Sequence, residues 1–114
     1  PDLKGKLDGT AVRVPTPNVS LVVLTAQLAK KATAAEVNAA LEAASEGKLK
    51  GIMGFEERPL VSSDFIGCTV SSVVDAALTP VIGDDLLQVQ AWYDNEWGFS
   101  ARMLDLTRLV ASKG

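Results

Sequence analysis

The sequence predicts an α+β fold, in which a mixed, mostly antiparallel sheet carries two helices packed on one face. Several short segments are rich in β-branched residues or alternate apolar with polar side chains, and these patterns are typical of strands. Two longer segments place apolar residues three and four positions apart, which is the spacing of an amphipathic helix. Because the strand segments come in runs around the two helices, a sheet covered by helices is the expected arrangement.

The first part of the chain predicts an arm followed by two strands. Turn-forming glycines indicate that residues 1–10 form an arm, and residues 10–14 can form a short strand. Pro15 and Pro17 then remove two backbone donors and force an extended path, as at the edge of a sheet. Residues 19–28 are rich in β-branched and apolar side chains and predict a long strand.

The first helix has clear start and stop signals. Thr33 and Glu36 form a Thr-x-x-Glu capping box, which satisfies two backbone donors at a helix start. Gly47 is well placed to end the helix. The apolar face between them consists of Val37, Ala40, Leu41 and Ala44.

The remainder of the chain predicts further strands and a closing helix. Four segments have strand character: residues 51–55, 72–77, 79–82 and 86–93. Residues 60–71 are irregular, and residues 83–85, Gly-Asp-Asp, are typical of a hairpin. A final helix over residues 97–110 can be capped by either Asp94 or Asn95. A candidate interface is the face of the last strand that carries Leu86, Gln88, Gln90 and Trp92.

Composition excludes several classes of protein. The 114 residues are 47% hydrophobic and 22% charged, which is typical of one globular domain and argues against disorder. No apolar run approaches the roughly 18 residues of a membrane span, and residues 1–6 lack the apolar segment of a targeting peptide. The net charge of −3 argues against nucleic-acid and acidic-membrane partners. Since the chain does not begin with methionine, we expect a truncation or a processed piece of a longer protein.

The cysteine and histidine content limits the chemistry that the chain can carry. Cys68 is the single cysteine, which rules out an internal disulfide and fits a reducing compartment. The chain has no histidine, so it lacks the usual general base, the commonest zinc ligand and any internal Cys–His pair. No cluster of cations lies near Cys68 in the sequence, which favours a structural role for this thiol.

Two residues are candidates for ligand binding. Arg13 lies beside a stiff Pro-x-Pro segment, where its guanidinium could bind two oxygens of a phosphate or carboxylate. Taken alone, an ion-pair or surface arginine is the more common interpretation. The carboxamide of Asn95 is complementary to another amide, although a helix cap is the simpler interpretation of this residue alone. The adjacent carboxylates at residues 56–57 and 84–85 do not point together, and neither a Gly-x-Gly-x-x-Gly segment nor a P-loop is present.

Four segments resemble one enzyme family. Residues 92–98 are Trp-Tyr-Asp-Asn-Glu-Trp-Gly, and residues 13–20 are Arg-Val-Pro-Thr-Pro-Asn-Val-Ser. Together with residues 46–52 and 61–65, they resemble the C-terminal part of phosphorylating glyceraldehyde-3-phosphate dehydrogenase over almost the whole chain. Phe99 stands where the family usually has tyrosine.

The resemblance implies a fold and an activity. The fold would be that of the family's C-terminal catalytic domain, with residues 1–114 forming part of it and a nucleotide-binding domain outside this chain. The family oxidises glyceraldehyde 3-phosphate with inorganic phosphate to 1,3-bisphosphoglycerate, and hydride passes to NAD or NADP. Such an enzyme acts in glycolysis and gluconeogenesis in the cytoplasm, as a homotetramer.

The resemblance also assigns roles to the two candidates. Arg13 would contact a phosphate of the substrate or the attacking inorganic ion, and Asn95 would hydrogen-bond the nicotinamide carboxamide. Cys68 lacks the Ser-Cys-Thr-Thr-Asn surroundings of the family's catalytic thiol, and this chain supplies no metal ligand set. The reactive cysteine and histidine would belong to the remainder of the same enzyme, so we expect this chain alone to be inactive.

Two alternatives remain open from the sequence. The first is a piece of erythrose-4-phosphate dehydrogenase, whose C-terminal region is similar. The second is a non-catalytic binding or assembly module of the same fold.

Overall fold

The computed structural model describes residues 2–114 and contains five strands and two α-helices in that range. In chain order they are β1 (Ser20–Gln27), α1 (Ala34–Glu46), β2 (Met53–Glu56), β3 (Ser72–Asp75), β4 (Val81–Ile82), β5 (Leu86–Tyr93) and α2 (Trp97–Ala111). Short 3-10 turns cover residues 62–65 and 76–78. The predicted α+β class with a mixed sheet and two helices is confirmed. Within residues 2–114, neither helix is both long enough and apolar enough to cross a bilayer.

Strand β5 organises the sheet. The strand order is β1-β5-β3-β2, and β4 also pairs with β5. Strand β5 is antiparallel to each of its three partners, whereas β2 and β3 are parallel. Its pairing with β1 runs without interruption from Ser20 opposite Tyr93 to Gln27 opposite Leu86. The sheet is therefore mostly antiparallel, as the sequence predicts.

The hairpin between β4 and β5 depends on two residues with positive φ. Gly83 has φ 61° and Asp84 has φ 69°. Glycine adopts this region without a steric penalty, and aspartate tolerates it better than most residues. The predicted Gly-Asp-Asp turn is thus confirmed, and it brings Ile82 opposite Leu86.

Helix α1 begins and ends where the sequence predicts. The Thr33 Oγ1 accepts from the Glu36 N–H at 3.2 Å, and the Glu36 carboxylate accepts from the Thr33 N–H at 2.8 Å. Those contacts lower the pKa of Glu36, with the backbone hydrogen bond from Thr33 as the largest cause. Gly47 closes the other end through a hydrogen bond to the Ala43 carbonyl. Asn38 donates to the carbonyl of Ala76 at 3.0 Å and so fixes the helix beside the sheet.

Helix α2 is held to the rest of the domain near its first two turns. A Cβ at Gly98 would lie 2.9 Å from the carbonyl oxygen of Val70, so this close approach requires glycine. One turn further, Arg102 donates to the Gly51 carbonyl at 3.1 Å. Large apolar side chains beyond that point are exposed, namely Met103, Leu104, Leu106, Leu109 and Val110.

The described core is small and lies on both faces of the sheet. Val74 pairs with Ala91 and so shares a face with Leu87, whereas Trp92 faces the other way. The apolar residues that are buried are Val19, Phe65, Val74 and Leu87. Phe65 stacks on Trp92 with ring centroids 5.7 Å apart. Phe65 therefore covers the Trp92 ring, and Trp92 is only partly exposed. The sequence places Trp92 on a candidate interface face with Gln88 and Gln90.

One sequence prediction of a strand is wrong, and a second extends too far. Residues 10–14 form no strand: they are exposed and pair with no other strand of the described sheet. Without a neighbouring strand to supply hydrogen bonds, their β-branched residues do not suffice to make one. The strand predicted over residues 72–77 ends at Asp75, because the chain turns there into the short 3-10 segment.

Candidate functional site

Arg13 and Asn95 border the same groove. The groove has a volume of about 1420 Å³ and lies between the arm, defined here as residues 2–18, and the start of β1 together with the end of β5. Both side chains are exposed. Asn95 also lines a smaller cleft of about 290 Å³, together with Tyr93, Phe99 and Arg102. The structure thus places the two candidates, which are far apart in sequence, at one opening.

Asp94, the residue before Asn95, is the fixed point of this region. It is 2% exposed and its carboxylate accepts four hydrogen bonds. The Oδ1 atom accepts from the N–H groups of Glu96 at 2.9 Å and Trp97 at 2.8 Å. The Oδ2 atom accepts from the Gly67 N–H at 2.8 Å and from Asn18 Nδ2 at 3.0 Å. One carboxylate therefore joins the start of α2, the loop at Gly67 and the end of the arm.

These four donors lower the pKa of Asp94 to about 2, with the Trp97 N–H as the largest cause and the Gly67 N–H as the next. Hydrogen bonds from N–H groups favour the charged form of a carboxylate, and here they outweigh the cost of burial. Asp94 is consequently ionised at neutral pH. Its negative charge also lies at the positive end of the α2 dipole, which favours the same state.

Asp94 rather than Asn95 caps α2. The sequence left both residues open as caps, and the hydrogen bonds from Glu96 and Trp97 go to Asp94. The Asn95 side chain is exposed and makes no hydrogen bond to any residue in 2–114. Its two amide donors and its carbonyl oxygen are thus available to a ligand in the groove.

Arg13 is carried by the arm and has no ion-pair partner among residues 2–114. The described part of the chain therefore gives no support to the intramolecular ion-pair interpretation. An exposed guanidinium on the wall of a groove can bind two oxygens of an anion that enters it. Lys6 lies on the same groove and adds a second positive charge to the arm.

The other ionisable residues considered as candidates either pair with a neighbour in the chain or stand outside any cluster of metal ligands. Arg58 holds Glu56 through bonds of 2.8 Å from Nε and 2.7 Å from Nη2, and this contact lowers the pKa of Glu56 to about 2. Cys68 is partly exposed and free. Residues 2–114 contain no group of three or more cysteine, aspartate or glutamate side chains arranged to hold a metal ion.

Sequence reasoning missed the part played by Asn18 and assigned Asp94 no more than a possible cap. Asn18 lies in the Pro-Asn-Val-Ser segment that carried the resemblance, so its presence in a motif was the available signal. The contact itself joins residues 76 positions apart, and no local pattern predicts such a pairing.

Comparison with known proteins gives a consistent result. Residues 1–95 match the family model described as "Glyceraldehyde 3-phosphate dehydrogenase, C-terminal domain". The chain is 60% identical over 113 residues to "Glyceraldehyde-3-phosphate dehydrogenase 2" of Trichormus variabilis, covering 99% of this chain and 34% of that protein. It is 59% identical over 114 residues to "Glyceraldehyde-3-phosphate dehydrogenase" of Geobacillus stearothermophilus, covering 100% of this chain and 34% of the relative.

A plant relative is similar at nearly the same level. The chain is 58% identical over 114 residues to "Glyceraldehyde-3-phosphate dehydrogenase B, chloroplastic" of Pisum sativum, covering 99% of this chain and 25% of that protein. The chain thus spans about a third or less of the length of these relatives.

Proposed function

The chain belongs to the glyceraldehyde-3-phosphate dehydrogenase family, and from this premise we propose that it is the C-terminal domain of an enzyme with that activity. The enzyme oxidises glyceraldehyde 3-phosphate, takes up inorganic phosphate and forms 1,3-bisphosphoglycerate, while NAD or NADP is reduced. The observation that carries the proposal is the placement of Arg13 and Asn95 on one groove, because an anion site and an amide site must lie close together for this reaction.

Arg13 is the proposed phosphate-binding residue. Its guanidinium is exposed on the groove and has no salt-bridge partner within residues 2–114, which leaves its donors available to phosphate oxygens. The planar guanidinium binds two oxygens at once, so it fixes the orientation of the phosphate as well as its position. The phosphate is either that of the substrate or the inorganic ion, and in both cases this contact fixes the phosphate end of the bound reactants.

Asn95 is the proposed residue that orients the nicotinamide. The donor set fits this group, because a free carboxamide can exchange two hydrogen bonds with the carboxamide of the ring. The chemistry that a bound nicotinamide would supply is acceptance of hydride from the substrate. The contribution of Asn95 is to select which face of the ring meets the substrate, and Asp94 keeps Asn95 in place through its bonds to α2.

The reactive groups are proposed to come from the remainder of the enzyme. This chain has no histidine that could accept a proton, and no lysine or arginine lies beside Cys68 in the sequence to activate the thiol. Residues 1–114 would accordingly supply binding and orientation but no nucleophile. The same remainder of the enzyme would also provide the nucleotide-binding domain.

The exposed apolar surfaces are suited to contacts with the remainder of the enzyme and with other subunits. The outer turns of α2 present Leu104, Leu106, Leu109 and Val110 to solvent, more than an isolated surface helix normally does. We assign this helix to contact with the remainder of the enzyme. We assign the face of β5 that carries Leu86, Gln88, Gln90 and Trp92 to packing between subunits of a homotetramer. A cytoplasmic location fits the free Cys68, although the pea relative is chloroplastic by name.

The proposal is tested with the intact enzyme that contains this domain. Purified enzyme is mixed with inorganic phosphate, with NAD or NADP, and with either glyceraldehyde 3-phosphate or erythrose 4-phosphate, and formation of reduced cofactor is followed. We expect a higher kcat/KM with glyceraldehyde 3-phosphate and a strict requirement for phosphate. Preference for erythrose 4-phosphate would favour that alternative activity, and no reduction of cofactor with either aldehyde would indicate a non-catalytic module.

A further inference from the structure

A single hydrogen bond connects the arm to the body of the domain. Among the hydrogen bonds of residues 2–114, those of the arm are otherwise internal to it or to its junction with Val19, such as Lys6 to Leu3 and Thr16 to Val14. The exception is the bond from Asn18 Nδ2 to Asp94 Oδ2, at 3.0 Å. The arm carries Arg13, and residues 2–17 are all exposed. Its position relative to the groove therefore depends on Asn18.

Asn18 holds the junction between the arm and β1 in an unfavourable backbone geometry. Val19 has a φ of 72°, which β-branched residues rarely adopt. The Val19 side chain is buried, and its N–H donates to Asn18 Oδ1 at 2.8 Å. Such strain persists only where the surroundings enforce it, and it is common at ligand-binding segments. The Asn18 carboxamide thus makes two hydrogen bonds. Its Oδ1 accepts from the Val19 N–H, and its Nδ2 donates to Asp94.

The Asp94 end of this contact lies next to the other candidate. Asp94 is covalently adjacent to Asn95 and caps the helix that follows it. The same Oδ2 that accepts from Asn18 also accepts from the Gly67 N–H, so it cannot move toward the arm without losing a second bond. Asn18 consequently ties the arm to a rigid point one residue away from Asn95.

We infer that Asn18 and Asp94 are positioning residues, whose hydrogen bond sets the distance between the phosphate-binding arm and the amide of Asn95. This inference rests on the proposed function, because it assigns the pair a role in aligning the two ends of that reaction. The role inferred for the pair is to place the arm, although Asn18 itself also lines the groove. Loss of the bond would let the arm drift, so phosphate binding would weaken although Arg13 itself is intact.

The experiment uses three variants of the intact enzyme. Asn18→Ala removes the bond, while Asn18→Asp keeps the shape and the acceptor for Val19 but turns a carboxylate toward Asp94. The matched control is Asn38→Ala, which removes another partly buried bond from an asparagine side chain, 3.0 Å in length, between two residues that do not line the groove. For each protein, KM for inorganic phosphate, kcat, the melting temperature and the rate of proteolytic cleavage within the arm are measured.

We expect Asn18→Ala to raise KM for phosphate by about 10-fold, since a hydrogen bond to a charged group is lost, and Asn18→Asp to raise it at least as much. Cleavage within the arm should accelerate in both. Asn38→Ala should lower the melting temperature and leave KM and arm cleavage unchanged. A purely structural role for Asn18 would lower the amount of active enzyme, and hence kcat, at unchanged KM.

The outcomes separate this inference from the proposed function. Unchanged KM for phosphate in both Asn18 variants of an active enzyme would overturn the positioning role and leave the proposed function standing. A wild-type enzyme that does not reduce the cofactor with glyceraldehyde 3-phosphate would overturn the proposed function, and the catalytic part of the inference with it. In that case faster arm cleavage in Asn18→Ala would still establish that Asn18 holds the arm in place, and unchanged cleavage would refute it.

Discussion

Phe65 stacks on Trp92 at a centroid distance of 5.7 Å and an interplanar angle of 12°, and this pair joins the loop before β3 to the middle of the sheet. The indole Nε1 of Trp92 also donates to Asp75 Oδ2 at 3.1 Å. The loop that carries Phe65 continues to Gly67, whose N–H binds Asp94. The aromatic pair therefore holds in place the loop that binds Asp94 in the candidate site.

Phe65→Ala should reduce the free energy of unfolding of the 114-residue chain by about 3–5 kcal/mol, because a buried aromatic side chain is replaced by a cavity. Urea denaturation measures this. The matched control is Phe99→Ala, whose ring is 64% exposed, and it should change the free energy of unfolding by no more than about 0.5 kcal/mol. An effect of Phe65→Ala as small as that expected for Phe99→Ala would mean that the stack contributes little.

Asp94 should make the stability of the chain depend on acid pH. Its pKa is lowered from 3.8 to about 2 in the folded state, so its stabilising contribution is complete above pH 3.8 and is lost as the pH falls toward 2. Asp94→Asn should therefore be less stable than the wild type at neutral pH, and the difference should shrink between pH 4 and pH 2.

Asn38→Ala serves as the control for this prediction, because an amide does not titrate. Its stability difference from the wild type should stay constant over the same pH range, as measured by urea denaturation at each pH. An Asp94→Asn difference that also stayed constant would show that the four hydrogen bonds do not favour the charged carboxylate.

Much of the fold could be predicted because its signals are local. The capping box of Thr33 and Glu36 requires only neighbouring residues, and it places the start of α1 correctly. The alternation over residues 86–93 likewise predicts β5 with its observed bounds. The error at residues 10–14 has the opposite cause, since strand formation depends on a neighbouring strand that the local sequence does not reveal.

The candidate site also has one part that the local sequence indicates and another part that it does not. Arg13 and Asn95 could be proposed as site residues because each lies in a segment that resembles a known motif. The contact between Asn18 and Asp94 was not found, because it joins the two motifs across 76 positions and depends on how β1 and β5 pair. Sequence could likewise not decide between Asp94 and Asn95 as the cap, since both residue types favour that position.

Arg13→Ala in the intact enzyme should raise KM for glyceraldehyde 3-phosphate or for inorganic phosphate by about 10- to 100-fold, because charge-assisted hydrogen bonds to an anion are lost. Steady-state kinetics with each reactant varied in turn measures the effect. Arg58→Ala is the matched control, since that exposed arginine pairs with Glu56 and does not line the groove, and it should leave both KM values unchanged. Unchanged KM for both phosphates would remove Arg13 from the site.

Asn95→Leu in the intact enzyme should lower kcat or raise KM for the dinucleotide by about 10-fold or more, because the ring amide loses its partner while the side chain keeps the same heavy-atom branching. Glu96→Gln, a change at the exposed neighbouring residue, should leave both constants near their wild-type values. The kinetics are measured at saturating phosphate and aldehyde. Wild-type constants in Asn95→Leu would contradict the proposed contact.

The central claim is that residues 1–114 bind and orient the reactants but hold no reactive group. Its most direct test is an assay of the purified 114-residue chain with glyceraldehyde 3-phosphate, inorganic phosphate and NAD or NADP, in which the absorbance of the reduced cofactor is followed. The account predicts no reduced cofactor above the rate without protein. Sustained formation of reduced cofactor by this chain alone would contradict it.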